Sequence, residues 1–173
     1  MDLGNLPDDA YFTGRALEEA ASQSDCVITV GGVSVGEEDH VRREIERLGT
    51  LGFWKLAIKP GKPIAFGTIG ETPVFGLPGN PVSSWITFAL IAKPWLVKRQ
   101  GGRLSPLPRF PVRSGFKIPK ASSREEFLRV YLRGSGKSMR AVQAGSQSSG
   151  VLSSLGKAGG LATIPAGVVV KEG

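Results

Sequence analysis

Cysteine and histidine are nearly missing from this chain, which has one of each, Cys26 and His40, in 173 residues. A single thiol excludes an internal disulfide. The scarcity of both residues also excludes a thiolate or imidazole zinc cage and leaves no spare histidine for a Ser-His-Asp triad. Long apolar runs are missing too: the longest, residues 85–92, stops at Lys93, far short of the roughly 20 residues a membrane-spanning helix needs. The first residues show neither a basic region nor an apolar core, so no secretory signal is read there, and with the lone thiol this points to a reducing cytoplasm. No internal repeat or extended low-complexity tract appears. What is present, 40% hydrophobic and 21% charged residues, has the composition of a folded soluble protein with one ordinary domain or two small ones.

The net charge of +7 is unevenly spread. Residues 1–102 carry ten Lys or Arg against twelve Asp or Glu, whereas residues 103–173 carry twelve against three. A basic segment suggests nucleic acid as a first guess. Here the cations, Arg109, Arg113, Lys117, Lys120, Arg124 and those after them, stand singly along strand-like stretches, with no aromatic RNA-binding motif and no basic helix. A solvated basic face or a patch for an anionic ligand accounts for them better, and nucleic acid and membrane are both set aside as partners.

The pattern of elements changes at the same place. Residues 10–22 put Phe12, Ala16, Leu17 and Ala20 at helical spacing behind Asp8 and Asp9, either of which can cap the first turn. Residues 26–30 form an apolar run suited to a buried strand, ended by Gly31 and Gly32, and Val41, Ile45 and Leu48 stripe a charged helix that stops at Gly49. Residues 53–58, 64–68 and 74–77 read as further strands. Asn80 and Pro81 open a long apolar helix that Pro94 should kink or divide. Strands alternating with helices predict a mainly parallel sheet with helices on both faces. A linker-like stretch, residues 100–106, follows, and then short strands at residues 110–118, 127–132, 139–143, 161–164 and 168–171, with a helical turn at 151–155, predict a small β-barrel or sandwich. The expected division is 1–103 and 104–173.

Three motifs carry the chemistry. In GGVSVGEED, residues 31–39, Gly31 and Gly32 allow a sharp turn that exposes backbone N–H groups and the Ser34 hydroxyl to an anion, phosphate above all. Asp39 stands where a carboxylate can hold a hard cation such as Mg²⁺, or, with Glu37 and Glu38, simply favour the positive end of a helix dipole. In KLAIKPGKP, residues 55–63, Lys55 and Lys59 share one face if residues 53–59 are extended, with Lys62 close behind. Three converging cations suit a tetrahedral oxyanion or a phosphoanhydride; the alternative is a row of solvated lysines guarding a sheet edge. In LPGNP, residues 77–81, Gly79 makes a turn, Asn80 caps and Pro81 starts a helix, and that helix start is also an anion site. His40 reads as an exposed bystander beside Asp39, and Cys26 as a small core residue.

Together and in this order, from about residue 2 to residue 171, the motifs resemble the molybdopterin molybdenumtransferase family, called MoeA in bacteria and the gephyrin E domain in animals. SREEFLRV (residues 123–130) and SSGVLSSLGKAGGLATIPAG (residues 148–167) resemble that family's last domain. The resemblance implies a MogA-like, three-layer molybdopterin-binding α/β domain, here without its opening strand and helix, followed by a small all-β C-terminal domain. It implies insertion of molybdate into adenylylated molybdopterin with release of AMP, assisted by Mg²⁺, in a cytoplasmic homodimer. It assigns Asp39 and Asp8 to the metal region and Lys55 and Lys59 to the active site. Gly31, Gly32 and Ser34 fall to the pterin or phosphate, and Pro78, Gly79, Asn80 and Pro81 to molybdate. Full members carry further domains upstream, so the chain is expected to be a fragment with feeble activity of its own. The rivals are the related molybdopterin adenylyltransferase and a non-catalytic dimerising scaffold that binds partner peptides.

Overall fold

The computed structural model describes residues 1–33 and 39–173 and divides them into two compact units. One comprises Met1–Leu56 and Gly61–Lys93, the other Ala57–Pro60 and Pro94–Gly173. Among the described residues no helix is long and apolar enough to cross a membrane.

The first unit opens with α1 (Ala10–Gln23), whose cap is Asp9: its Oδ1 accepts from the amides of Tyr11 at 2.8 Å and Phe12 at 3.1 Å. The buried stripe is Thr13, Gly14, Leu17, Ala20 and Ala21, rotated from the expected one, so Phe12 is exposed. Gly14 lies on the face of α1 turned toward α2 (His40–Leu48), where a Cβ would meet the ends of the Glu44 and Arg47 side chains. Val41 and Ile45 turn the apolar side of α2 inward, and the amide of Gly49 closes the helix on the Ile45 carbonyl at 3.0 Å.

These helices cover one face of a four-stranded sheet made of β1 (Val27–Val30), β2 (Thr50–Lys55), β4 (Pro63–Ile69) and β5 (Thr72–Leu77), in the order β1-β5-β4-β2. Leu17, Ala20, Val27, Val41, Ile45, Ala65 and Val74 form one buried cluster between them. Each fully buried Val, Leu or Ile in it contributes about 2 kcal/mol. The opposite sheet face carries an aromatic row, Phe53 against Phe66 at 5.4 Å and Phe66 against Phe75 at 4.7 Å between ring centroids.

The α/β character is as expected, but the sheet is not mainly parallel. Only β1 and β5 pair in parallel, and β5-β4 and β4-β2 are antiparallel. The cause is short connections: Gly70 and Glu71 alone join β4 to β5, and so tight a turn can only return the chain antiparallel. Because two reversals cancel, β2 runs in the same direction as β5 and β1. After LPGNP the helix continues as α3 (Pro81–Thr87), a π-helical turn over Phe88–Ala92 and α4 (Lys93–Arg99). Pro94 has no N–H to give, and the widened turn directly before it accommodates that loss.

Residues 53–58 were expected as one strand. The chain instead leaves β2 at Lys55, and Ile58–Lys59 (β3) joins the sheet of the second unit, parallel to the start of β7 (Glu125–Arg133). That sheet adds β6 (Arg113–Ser114), β8 (Arg140–Gln143) and β9 (Gly160–Ile164), with β7 pairing antiparallel to both β8 and β9. The short helix α5 (Ser153–Gly156) stands where a helical turn was expected. Of the strand expected over residues 110–118, only Arg113–Ser114 and a bridge from Ile118 to Val170 form; Phe110 and Val112 are exposed beside Pro111, which offers no ladder donor.

Leu128, Val130 and Ala141 make the core of the second unit, with Phe116, Ile118, Ala162 and Ile164 packed on them. On the other side of β7 lies Arg129, fully buried. Its Nε donates to Ser154 Oγ at 3.1 Å and its Nη2 to the carbonyls of Ser146 and Ser148, both at 3.0 Å. Burial pulls its pKa down from the ordinary arginine value.

Candidate functional site

The glycine turn and LPGNP meet. Val30 is in register with Leu77, and one residue further on the Gly31 amide donates to the Leu77 carbonyl at 2.9 Å. Both glycines after β1 are left-handed, Gly31 at φ 97° and Gly32 at φ 66°, a conformation only glycine adopts without strain. A Cβ on Gly79 would lie 3.6 Å from the Gly31 Cα, so the two loops touch backbone to backbone at the carboxyl ends of adjacent parallel strands. One expectation changes here: the Gly31 N–H is spent on Leu77 and is not offered to a ligand. Of LPGNP, Pro78 is buried while Gly79, Asn80 and Pro81 are exposed. The Asn80 carbonyl accepts the first helical bond from Ser84 at 2.9 Å, and its side chain makes no capping hydrogen bond. Ser34, Glu37 and Glu38 lie outside the described residues.

Asp39 stands at the N-cap position of α2 and is 8% exposed. With Asp9 taking the α1 cap, the Asp8 carboxylate lies 3.9 Å from His40 Nε2, so Asp8, Asp39 and His40 belong to one corner of the unit. His40 is therefore no exposed bystander; its side chain is 20% exposed. No group of three or more His, Cys, Asp or Glu arranged to hold a metal occurs among the described residues. Two carboxylates fit Mg²⁺, which keeps several waters and takes its remaining ligands from phosphate, and do not fit a cation that demands a complete protein cage.

Beside this corner runs a groove of about 760 Å³, lined by residues 1–8, one side of α1, the whole of β1, Gly31, Gly32 and His40. Cys26 lines it as well. It is half-buried rather than fully in the core, and burial raises its thiol above the ordinary value of 9.0.

The two lysines expected on one strand face are divided. Lys55, at the end of β2, leaves the sheet at the same end as Gly31 and Pro78, and its Nζ lies 3.4 Å from the centroid of the Trp54 ring. Lys59 belongs to the second unit, where its Nζ pairs with Glu126 Oε1 at 3.0 Å. Lys62 takes its place beside Lys55: it precedes Pro63, the ladder partner of Lys55, and its carbonyl accepts the Leu56 amide at 2.9 Å. Arg42 and Trp54 went unnoticed in the sequence. Their signal was faint, a helix arginine three residues after Asp39 and an aromatic next to Lys55.

With this geometry in view, two families match the chain: a probable molybdopterin binding domain over residues 1–98 and the MoeA C-terminal region, domain IV, over residues 111–173. A relative from Haemophilus influenzae named molybdopterin molybdenumtransferase is 44% identical over 132 residues, 76% of this chain and 33% of that protein. Gephyrin from Dictyostelium discoideum is 34% identical over 94% of this chain and 26% of its own length. The crystal structure of a molybdopterin biosynthesis MoeA protein from Pyrococcus horikosii superposes with a TM-score of 0.71 at 33% identity, over 94% of this chain and 38% of that one. The chain thus spans between a quarter and two fifths of the length of these relatives. With these two regions matched over residues 1–98 and 111–173, the chain belongs to the family of MoeA and gephyrin proteins.

Proposed function

We propose that this chain supplies the pterin- and oxyanion-binding part of an enzyme of molybdenum cofactor biosynthesis, one that inserts molybdate into adenylylated molybdopterin and releases AMP. The observation that carries this reading is the contact of the glycine turn with LPGNP through Gly31, Leu77 and Gly79. Two loops with open backbone at neighbouring strand ends form the crevice in which α/β sheets take phosphorylated ligands.

Both reactants are anionic, so their approach needs fixed positive charge and oriented donors. Gly32, Ser34, Gly79 and Asn80 are the proposed donors toward the pterin phosphate and molybdate, with Pro78 and Pro81 fixing the shape of that loop. Gly31 sets the turn. Lys55, joined by Lys62, is the proposed electrostatic stabiliser; a part for Lys59, paired with Glu126, rests on family resemblance. Asp39 and Asp8 are the proposed holders of Mg²⁺, which when bound supplies charge neutralisation at the phosphoanhydride. Homodimerisation and a cytoplasmic setting go with this reading. Among the described residues of the site no side chain is an evident covalent nucleophile, in keeping with a reaction governed by orientation and charge.

The test is to incubate the chain with adenylylated pterin, molybdate and Mg²⁺, measuring cofactor formation beside a full-length relative and oxyanion binding by equilibrium dialysis. Binding with turnover at least 100-fold below the relative is expected, since an error of about 1 Å in placing the reactants costs that much. Lys55→Ala combined with Lys62→Ala should abolish the binding. Failure of the unaltered chain to bind either molybdate or AMP would overturn the proposal.

A further inference from the structure

The segment between α4 and β6 keeps large apolar side chains in water. Residues 101–113 are all exposed, Leu107 at 67% and Phe110 at 59% among them, and among the described residues 103–111 take part in no hydrogen bond. Proline sets the backbone here. Pro106, Pro108 and Pro111 hold φ near about −65°, and the clash of each ring with the residue before it drives Ser105, Leu107 and Phe110 out of the helical region. In the run 105–111 only Arg109 is unconstrained, and no residue of the run has positive φ. The segment is therefore preset to polyproline II, a left-handed helix of three residues per turn that needs no internal hydrogen bonds. Such a helix puts Leu104, Leu107 and Phe110 on one ridge and Pro108 and Pro111 on the next. Leu107-Pro108 and Phe110-Pro111 are thus two copies of one apolar pair, a turn apart. Arg113 follows the second pair and is held by its ladder with Arg140; among the described residues neither its guanidinium nor that of Arg109 has an ion-pair or hydrogen-bond partner.

We infer that residues 107–113, LPRFPVR, form a docking ligand for a partner protein domain of the SH3 type, whose aromatic-walled groove offers two slots for apolar-proline pairs and an acidic pocket beside them. The repeat of the pair after three residues matches one pair to each slot. Charge chooses the partner further: an aromatic groove alone would accept the prolines, whereas the free Arg113 beyond them calls for carboxylates at the end of the groove. Because the helix is formed before contact, docking loses little conformational entropy. A rigid spacer would also need the prolines, but it gains nothing from exposing Leu107 and Phe110. The inference is independent of the oxyanion site, which shares none of these residues.

Titrating a set of ¹⁵N-labelled SH3 domains that carry an acidic pocket with the whole chain tests this, and resonance shifts confined to the aromatic groove are expected. Pro108→Ala combined with Pro111→Ala should weaken docking at least about tenfold, and Arg113→Gln about fivefold. Arg109 lies on the third ridge, turned from both apolar pairs, so Arg109→Gln should stay within about twofold of the parent. All four side chains are exposed, so the urea midpoint of each variant should match that of the parent, which separates lost docking from lost folding. No groove shift in any of the domains at a chain concentration of about 1 mM would leave the segment a spacer and overturn the inference. Docking that survives the double proline replacement would overturn it too, as would equal losses in Arg109→Gln and Arg113→Gln, which would mean unspecific charge attraction.

Discussion

Lys55 in the α/β unit and the cations Lys59 and Arg129 in the β unit carry their charge in different ways. In the β unit Lys59 is neutralised by the nearly buried Glu126, and the buried Arg129 is committed to the loop of Ser146, Ser148 and Ser154. In the α/β unit Lys55 rests on the Trp54 ring, which attracts a cation without cancelling its charge. A cation paired with a carboxylate or with carbonyls holds structure together; a cation kept on a ring stays able to attract an anion. Lys55 and Lys59 are only four positions apart in sequence, and the difference between them is one of surroundings.

The comparison is broken most directly at Arg129. In Arg129→Met the carbonyls of Ser146 and Ser148 and the Ser154 hydroxyl lose their donor inside the protein, and a loss of about 3 kcal/mol is expected. Hydrogen exchange localises it: amides of β7 and β9 should exchange faster while those of β1 and β5 keep their protection. Equal acceleration in both sheets would show that the arginine does more than organise the β unit.

The lysines sharpen the contrast at smaller scale. Lys59→Ala leaves the Glu126 carboxylate, 8% exposed, without its ion-pair partner, and about 1 kcal/mol of stability should be lost, a modest figure because the lysine itself is half exposed. Lys55→Ala should cost under about 0.5 kcal/mol and act on anion affinity instead. Urea denaturation of the two variants in parallel decides it. Equal losses would erase the distinction drawn between the lysines.

Much of this was legible in the sequence, and the errors share a cause. Gly31, Gly32 and LPGNP announced themselves through residue types whose backbone demands are nearly unconditional, and the helices of the first unit through periodicity. What periodicity cannot report is which neighbour an edge will meet. Residues 53–59 look like one strand, yet the path breaks after Lys55 and Ile58 pairs with Glu125, a residue 67 positions away. Likewise Phe12 belongs to an apolar pattern, but the face of α1 that is covered is the one carrying Thr13, Leu17 and Ala20, so Phe12 stays outside. Asp8 and Asp9 were equivalent as caps until geometry gave the cap to Asp9 and left Asp8 near His40. Arg129 was one more strand cation until the Ser-rich loop folded over it.

The smallest expected effect concerns Cys26, a thiol in the wall of the groove whose pKa burial raises. Burial penalises the thiolate, so the folded protein holds this proton to higher pH than the unfolded chain does. Between the ordinary value of 9.0 and the raised native one, the folded state binds more protons than the unfolded, and stability falls with rising pH. The thiol's contribution is thus fully present below pH 9 and is lost as the pH climbs through the native value. Cys26→Ser removes the titration, so the difference in urea midpoint between parent and variant should be flat from pH 7 to about 8.5 and shrink above it, reported as a difference so that lysines and tyrosines cancel. Alkylation by iodoacetamide gives the kinetic counterpart, slower at pH 8 than for an unfolded peptide of the same sequence because less thiolate is present. A pH-independent difference, or alkylation as fast as in the peptide, would place Cys26 in water and contradict its position in the wall of the groove.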